Sequence, residues 1–370
     1  MKIVADENIP NARTLFSPLG EVSLVHGRRL QASDLSDADA LIVRSVTEVN
    51  PVLLASAPRL GFVGTCTIGT DHLDLSYLQS REIRVASAPG CNANAVVQYV
   101  LSSLVTLERF DLSLRVAIVG CGNVGGRLYR ALSSLGFECI CVDPFLTKEQ
   151  NPDLHPIEAI YSCDIICVHT PLTKTGSHPT YHMFSYDLIQ HLKPGAILLN
   201  AGRGGAIDNQ ALNQCLDEGQ NLQVVLDVWE NEPAILEALY QKVKLGTPHI
   251  AGYSFEGRVN GAVMILDALA DFLNCDEPKR QELAELVEQE IFAGNQHIDV
   301  SSVEEAVIRA YDVSIDHTAL GQALPSLPQS FDHLRKHYRK RRDFGFYRYS
   351  ASGTPTDSKL QALGFIEDGK

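Results

Sequence analysis

The sequence predicts an α/β protein built on two doubly wound parallel sheets, with a small α+β unit at the C-terminal end. Three observations carry this. Short, near-continuous Val/Ile/Leu runs alternate with helical stretches over the first 250 residues. A glycine cluster, GCGNVGG, follows one of those runs at 120–126. After residue 285 the alternation stops.

The runs come in two sets. The first is KIVAD (2–6), VSLVH (22–26), ALIVRS (40–45), GFVGT (61–65) and RVASA (84–88). The second is RVAIVG (115–120), ECICVD (138–143), DIICVHTP (164–171), AILLNAG (196–202) and QVVLDVW (223–229). Strands that are apolar on both faces belong in a parallel sheet covered by helices on both sides. Between them, residues 123–135 place Leu128, Ala131, Leu132 and Leu135 at i, i+3, i+4 and i+7, the apolar stripe of a helix. NANAVVQYVLSSLVTLERF (92–110) reads as one long helix joining the two sets, so the domain break falls near 90–110. The last segment, 286–370, carries IDVSSVEEAVIRAYDVSI, two prolines (Pro325, Pro328) and a basic stretch. Its apolar VEEAVIRAYDV reads as an exposed patch, which marks an interface, so a two-fold homodimer built on this unit is expected.

Composition narrows the function. Of 370 residues, 45% are apolar and 21% charged, which excludes a disordered or fibrous chain. Forty-five acids against 31 bases give a net charge of −14. That excludes non-specific binding of nucleic acid or anionic membrane as the main role. Nine cysteines without a CxxC pair read as buried thiols of a reducing cytoplasm. No run of 18 apolar residues exists, and no leader precedes MKIVAD, so a cytoplasmic protein is expected.

Gly120, Gly122 and Gly125 have G-x-G-x-x-G spacing, enclosing Asn123 and Val124. The first glycine allows a tight turn, the second a close approach of backbone to a pyrophosphate, the third close helix–strand packing. The pyrophosphate would sit on the helix N-terminus, where free N–H groups favour an anion. The next strand ends in Asp143, 18 residues after Gly125. A carboxylate there binds ribose hydroxyls and repels a 2′-phosphate, so the cofactor is expected to be NAD, on a Rossmann-like domain.

Ligands of an open parallel sheet bind beyond the carboxyl ends of its strands. Those ends carry Ser45, Thr65-Cys66-Thr67, Asp143, His169-Thr170-Pro171, Asn200 to Arg203, Asp227 to Glu232 and Thr247-Pro248-His249. One arginine, one glutamate and one histidine fall in this set. Arginine grips a carboxylate with two parallel hydrogen bonds. Histidine moves a hydroxyl proton near neutral pH, and glutamate orients the ring and favours its protonated form.

LKPGAILLNAGRGG (192–205), LDVWENEP (226–233) and TPHIAGYS (247–254) resemble the D-isomer-specific 2-hydroxyacid dehydrogenases. The resemblance implies Arg203, Glu232 and His249 as catalytic residues. It implies a substrate-binding domain of residues 1–94 completed by 255–285, an NAD-binding domain of 95–254, and 286–370 as the dimerisation domain. VADENIP (4–10), DADALIVRSVTEVN (37–50), FVGTCTIGTDHLD (62–74), APGCNANAVVQYV (88–100) and FDHLRKHYRKRRDF (331–344) resemble one branch of that family. That branch oxidises a small phosphorylated 2-hydroxy acid on the way to pyridoxal phosphate. Its pattern implies substrate contacts at Ser45, Thr67 and Tyr253. It implies NAD contacts at Asp143, Thr170, Ala201, Gly202, Arg203, Asp227 and Gly252. The chain departs from the pattern at Cys66, Ile68 and Gly202, and no catalytic position is lost.

Two rivals stand beside this reading: a 2-hydroxyacid dehydrogenase for another substrate such as 3-phosphoglycerate, and an NAD-sensing binding module without turnover. No metal is expected, because His178 and His182 have no carboxylate or cysteine beside them in sequence. The substrate phosphate needs a cation besides Arg203. Arg44, before Ser45, is favoured over Arg339, Arg341 and Arg342, and the basic run 333–342 otherwise reads as a solvated helix face.

Overall fold

The computed structural model describes residues 1–291 and 294–369. The chain forms two compact units, Met1–Asn92 with Phe255–Asn295, and Ala93–Ser254 with Gln296–Lys370.

The first unit has strands β1 (Lys2–Asp6), β2 (Glu21–Val25), β3 (Ala40–Val43), β4 (Phe62–Thr65) and β5 (Arg84–Ala86), all parallel, in the order β2-β1-β3-β4-β5. β3 and β4 are buried at every position, as their unbroken apolar runs require. The helix Phe255–Phe272 returns from far along the chain and lays Ala262, Ile265, Leu266 and Leu269 against Ile3, Ala5, Ile42 and Phe62. The strand order reverses between β1 and β3, the place where doubly wound sheets bind ligands. At that point Arg44 Nε donates to Oδ2 of the buried Asp6 at 3.1 Å.

The second unit has β6 (Arg115–Val119), β7 (Glu138–Val142), β8 (Ile165–Val168), β9 (Ile197–Asn200), β10 (Gln223–Leu226) and β11 (Leu245–Gly246), again parallel, in the order β11-β10-β9-β8-β6-β7. Each expected strand is present and starts within one residue of its expected start. β11 is absent from the sequence reading because two residues carry no periodicity. The helix Asn123–Leu135 buries Leu128, Leu132 and Leu135 and ends at Gly136, whose φ of 105° suits only glycine. The expected 92–110 helix is Ala93–Thr106, closed by a turn in which the Arg109 N–H returns to the Leu104 carbonyl.

The last segment does hold an α+β arrangement. Helices Val303–Ala310, Val313–Ala323, Gln329–Lys336 and Pro355–Leu363 accompany β12 (Gln296–His297), β13 (Tyr347–Tyr349) and β14 (Ile366–Glu367). From Gln296 onward it groups with the second unit. Val303, Val307, Tyr311, Tyr349 and Phe365 share one core with Val100, Leu104, Leu128 and Leu132. The apolar patch expected to be exposed on VEEAVIRAYDV is therefore internal. Ser102 Oγ locks it there, donating to the Tyr311 carbonyl at 2.8 Å and accepting from the Val313 N–H at 3.0 Å. Amphipathicity alone does not say whether an apolar face meets its own chain or another. Residues 292, 293 and 370 of the expected C-terminal unit lie outside the described residues.

All nine cysteines are free, seven of them buried. Among the described residues, no helix is long and apolar enough to cross a membrane.

Candidate active site

The glycine motif forms the turn between β6 and its helix, beside the reversal of strand order between β6 and β8. Gly120 has φ +87°, and a side chain there would also strike the His169 backbone at 2.9 Å. A Cβ on Gly125 would lie 1.9 Å from the Gly120 carbonyl oxygen. One on Gly122 would meet nothing within 4 Å, so open space lies before the helix N-terminus that Asn123 and Val124 begin. Asp143, at the end of β7, receives the Cys121 N–H at 2.9 Å and the Phe145 N–H at 3.0 Å, which braces the same turn. Gly202 approaches the His169 and Thr170 backbone so closely that a Cβ would sit 3.1 Å away. These features fit a dinucleotide: an open cradle at an amide-rich helix start, and a carboxylate one strand over. His169, in this region, has both ring nitrogens buried without a partner among the described residues. Burial pushes its imidazole down to about 4.

Arg203, Glu232 and His249 follow β9, β10 and β11, three neighbouring strands, at one edge of the sheet. Asn200, fully buried at the end of β9, shapes the first turn. Its Oδ1 accepts the Gly202 N–H at 3.0 Å and its Nδ2 donates to the Arg203 carbonyl at 3.0 Å. Gly204 then touches the neighbouring loop. A Cβ there would lie 2.0 Å from the Trp229 carbonyl oxygen.

His249 Nδ1 lies 2.8 Å from Glu232 Oε2, and Glu232 Oε1 accepts the Trp229 N–H at 2.8 Å. Burial pushes the Glu232 carboxyl up. The His249 charge and hydrogen bond, the Trp229 N–H and the charge of Arg335 outweigh it and hold the group below the usual carboxylate range. An ionised acceptor at Nδ1 makes that nitrogen the N–H donor and leaves Nε2 able to take a proton. Nε2 has no partner among the described residues.

Asp227, which the family resemblance assigns to NAD, is buried beneath the histidine loop. It accepts the Thr247 hydroxyl at 2.7 Å and the Ile250 and Ala251 N–H groups at 2.8 and 2.9 Å. Burial pushes its carboxyl up. Its visible work is to hold residues 247–251. Tyr99 helps through a 2.9 Å hydrogen bond to Thr247. Trp229 donates Nε1–H to the Thr247 carbonyl at 3.0 Å. Gly252 and Tyr253 continue this loop.

His182 does have carboxylates beside it, brought by the fold. Its Nε2 lies 2.6 Å from Glu230 Oε1 and its Nδ1 3.3 Å from Asp208 Oδ2. One potential ligand atom from each of the three lies within 4.8 Å of the others. With each ring nitrogen on a different carboxylate, the group ties the stretch after Arg203 to the stretch before Glu232.

In the first unit, Ser45 is exposed just beyond β3. Thr67 Oγ1 is bonded to the Thr65 hydroxyl at 2.7 Å and to the Gly69 carbonyl at 3.1 Å. Gly204 and Arg335 are not among the site residues the sequence reading offers. The only sequence signal for Gly204 is its place inside NAGRGG.

Residues 111–251 match the D-isomer specific 2-hydroxyacid dehydrogenase NAD binding domain, and residues 285–364 match a domain of unknown function (DUF3410). The chain is 53% identical to erythronate-4-phosphate dehydrogenase of Saccharophagus degradans, over 99% of each chain. It is 49% identical to that of Teredinibacter turnerae, over 100% of this chain and 99% of the relative. The chain belongs to the erythronate-4-phosphate dehydrogenase family. As a member it is an oxidoreductase, and its NAD-binding domain is the sheet that bears the glycine turn. The Escherichia coli member is 44% identical over 99% of this chain and 98% of its own. Solved structures share the fold. A D-lactate dehydrogenase of Aquifex aeolicus complexed with NAD and lactic acid has a TM-score of 0.60 at 20% identity, covering 76% of this chain and 98% of its own. A 3-phosphoglycerate dehydrogenase of Entamoeba histolytica has a TM-score of 0.63 at 24% identity, covering 74% and 96%.

Proposed function

We propose that the protein oxidises 4-phospho-D-erythronate at its 2-hydroxyl to 2-oxo-3-hydroxy-4-phosphobutanoate, a step towards pyridoxal 5′-phosphate in the cytoplasm. The observation that carries the reading is the Glu232–His249 pair at 2.8 Å, with Nε2 of the ring unengaged, on the NAD-binding sheet. NAD, when bound, supplies the hydride acceptor for C2. His249 Nε2 takes the hydroxyl proton, and Glu232 stabilises the imidazolium that results. Arg203 holds the substrate carboxylate and polarises the forming carbonyl. Asp143 binds the adenine-side ribose. Gly120, Gly122, Asn123, Val124 and Gly125 form the pyrophosphate cradle, with Thr170, Ala201, Gly202 and Gly252 beside the cofactor. On the first unit, Ser45, Thr67 and Arg44 are the residues to test for substrate contact, and on the second, Tyr253.

A homodimer belongs to the same reading, and sedimentation of the full chain tests it. The activity is tested by NADH formation with 4-phosphoerythronate, erythronate, 3-phosphoglycerate and D-lactate. A kcat/KM highest for 4-phosphoerythronate supports the reading. Preference for another acid overturns the substrate, and NAD binding without turnover overturns the enzyme.

A further inference from the structure

The basic run 333–342 is not a uniform solvated face. Arg339 faces Asp316 at 3.4 Å. Arg341 is buried on the backbone carbonyls of Ala95 and Ala251. Arg342 lies over the Phe346 ring, 3.6 Å from its centroid. Arg44 of the first unit answers the buried Asp6. Arg335 has a neutral hydroxyl, that of Tyr253, as its hydrogen-bond partner, and pairs with Asp332 only at 3.8 Å.

Arg335 sits near the end of the helix Gln329–Lys336, which Phe331 anchors in the core. Its side chain is 19% exposed. Nη2 donates to the Tyr253 hydroxyl at 2.8 Å, and the guanidinium lies over the same ring, 5.5 Å from its centroid. Nη1 is 3.8 Å from Asp332, beyond hydrogen-bond reach, and Nε has no partner among the described residues. A mostly buried guanidinium with most of its five N–H groups unfilled is costly unless an anion completes it.

Its position is also specific. Tyr253 lies four residues after His249, on the loop that Asp227 and Arg341 hold from beneath. The Tyr253 oxygen accepts from Arg335, so its own O–H remains available to donate. The Arg335 charge reaches the catalytic pair, being one of the influences that hold Glu232 ionised.

We propose that Arg335, with the Tyr253 hydroxyl, forms the subsite that reads the substrate phosphate. A guanidinium edge with a neighbouring O–H offers a planar set of donors that suits a phosphate dianion. The C-terminal segment then contributes a specificity residue to an NAD-binding domain. Arg203 serves the carboxylate at the other end of the substrate. The proposal rests on the substrate being a phosphorylated 2-hydroxy acid.

The test uses the full-length chain with Arg335→Met, Arg335→Lys and Tyr253→Phe. For each, kcat/KM is measured with 4-phosphoerythronate and with erythronate, alongside NAD affinity, thermal stability and competitive inhibition by inorganic phosphate. Arg335→Met should lose about tenfold to a hundredfold on the phosphorylated substrate, mostly in KM, and far less on erythronate. Arg335→Lys should recover part of the loss, and inorganic phosphate should inhibit the Met variant more weakly than the wild type. Equal losses on both substrates, or unchanged phosphate inhibition, would show that Arg335 only holds Tyr253 in place and would overturn the proposal. A wild type without activity on 4-phosphoerythronate would instead overturn the functional reading beneath it.

Discussion

Glu232 and His249 are 17 residues apart in sequence and 2.8 Å apart in space, on loops after two adjacent strands. The carboxylate uses its second oxygen on the Trp229 N–H, so it cannot swing away from the ring without losing a backbone hydrogen bond. His249→Ala should cost ~10²–10⁴ in kcat, the range of a general base. Glu232→Gln should lower kcat by about tenfold to a hundredfold. Steady-state kinetics of the two variants check both, and an unchanged kcat in the Gln variant would separate the two residues functionally.

The glycine turn makes two opposite predictions. Gly125→Ala forces a methyl to 1.9 Å from the Gly120 oxygen, so the strand–helix packing must break. That variant should be destabilised by ~3 kcal/mol or more in urea unfolding, as overpacking against a rigid backbone predicts. Gly122→Ala adds a methyl to open space and should fold normally. It should nevertheless weaken NAD binding by about tenfold or more, measured by fluorescence titration, since the methyl occupies the pyrophosphate's approach.

Asp143 braces the turn from the end of β7, through the Cys121 and Phe145 N–H groups. Asp143→Ala should weaken NAD by about tenfold to a hundredfold, the worth of a hydrogen bond to a charged group. It should also narrow the preference over NADP, because the repulsion of a 2′-phosphate is lost. Affinities for both cofactors decide the point. An unchanged ratio would assign Asp143 to bracing Cys121 and Phe145 alone.

His169 predicts a pH dependence of stability. Burial holds its imidazole at about 4, against an ordinary value near 6.5. Between those values the unfolded chain binds a proton that the folded chain does not, so stability rises with pH across the window. The contribution is complete above 6.5 and is lost as pH falls towards 4, amounting to as much as ~3 kcal/mol. Urea unfolding of His169→Leu from pH 7 to pH 4.5 should show a shallower slope than the wild type. Parallel slopes would place the titration elsewhere.

Arg341 is fully buried, bonded to Ala95 and Ala251 carbonyls, with its guanidinium 4.2 Å from the Tyr311 ring centroid. Arg341→Ala opens a cavity and releases the backbone under the histidine loop. It should cost at least ~3 kcal/mol in unfolding free energy and lower kcat as well. A loss of stability with intact kcat would show that the loop keeps its shape without it.

Much of this was legible in the sequence. The strands of both sheets, the Asn123–Leu135 helix and the glycine turn follow from local pattern: apolar runs, an i, i+3, i+4, i+7 stripe, and fixed glycine spacing. Arg203, Glu232 and His249 were readable because each sits beside a turn at a strand end, in a short motif. Three things belong to the tertiary structure. β11 is only two residues long and exists because β10 pairs with it, yet it sets where His249 emerges. The face carrying Val303, Val307 and Tyr311 could have met solvent, a partner or its own chain, and it is packing against Val100 and Leu104 that decides. The pairing of His182 with Asp208 and Glu230, and of Arg335 with Tyr253, joins residues 26 to 82 positions apart. A linear pattern encodes which face of an element is apolar, because that repeats every few residues. It does not encode which distant polar group a buried charge will meet, because that depends on how whole elements are brought together.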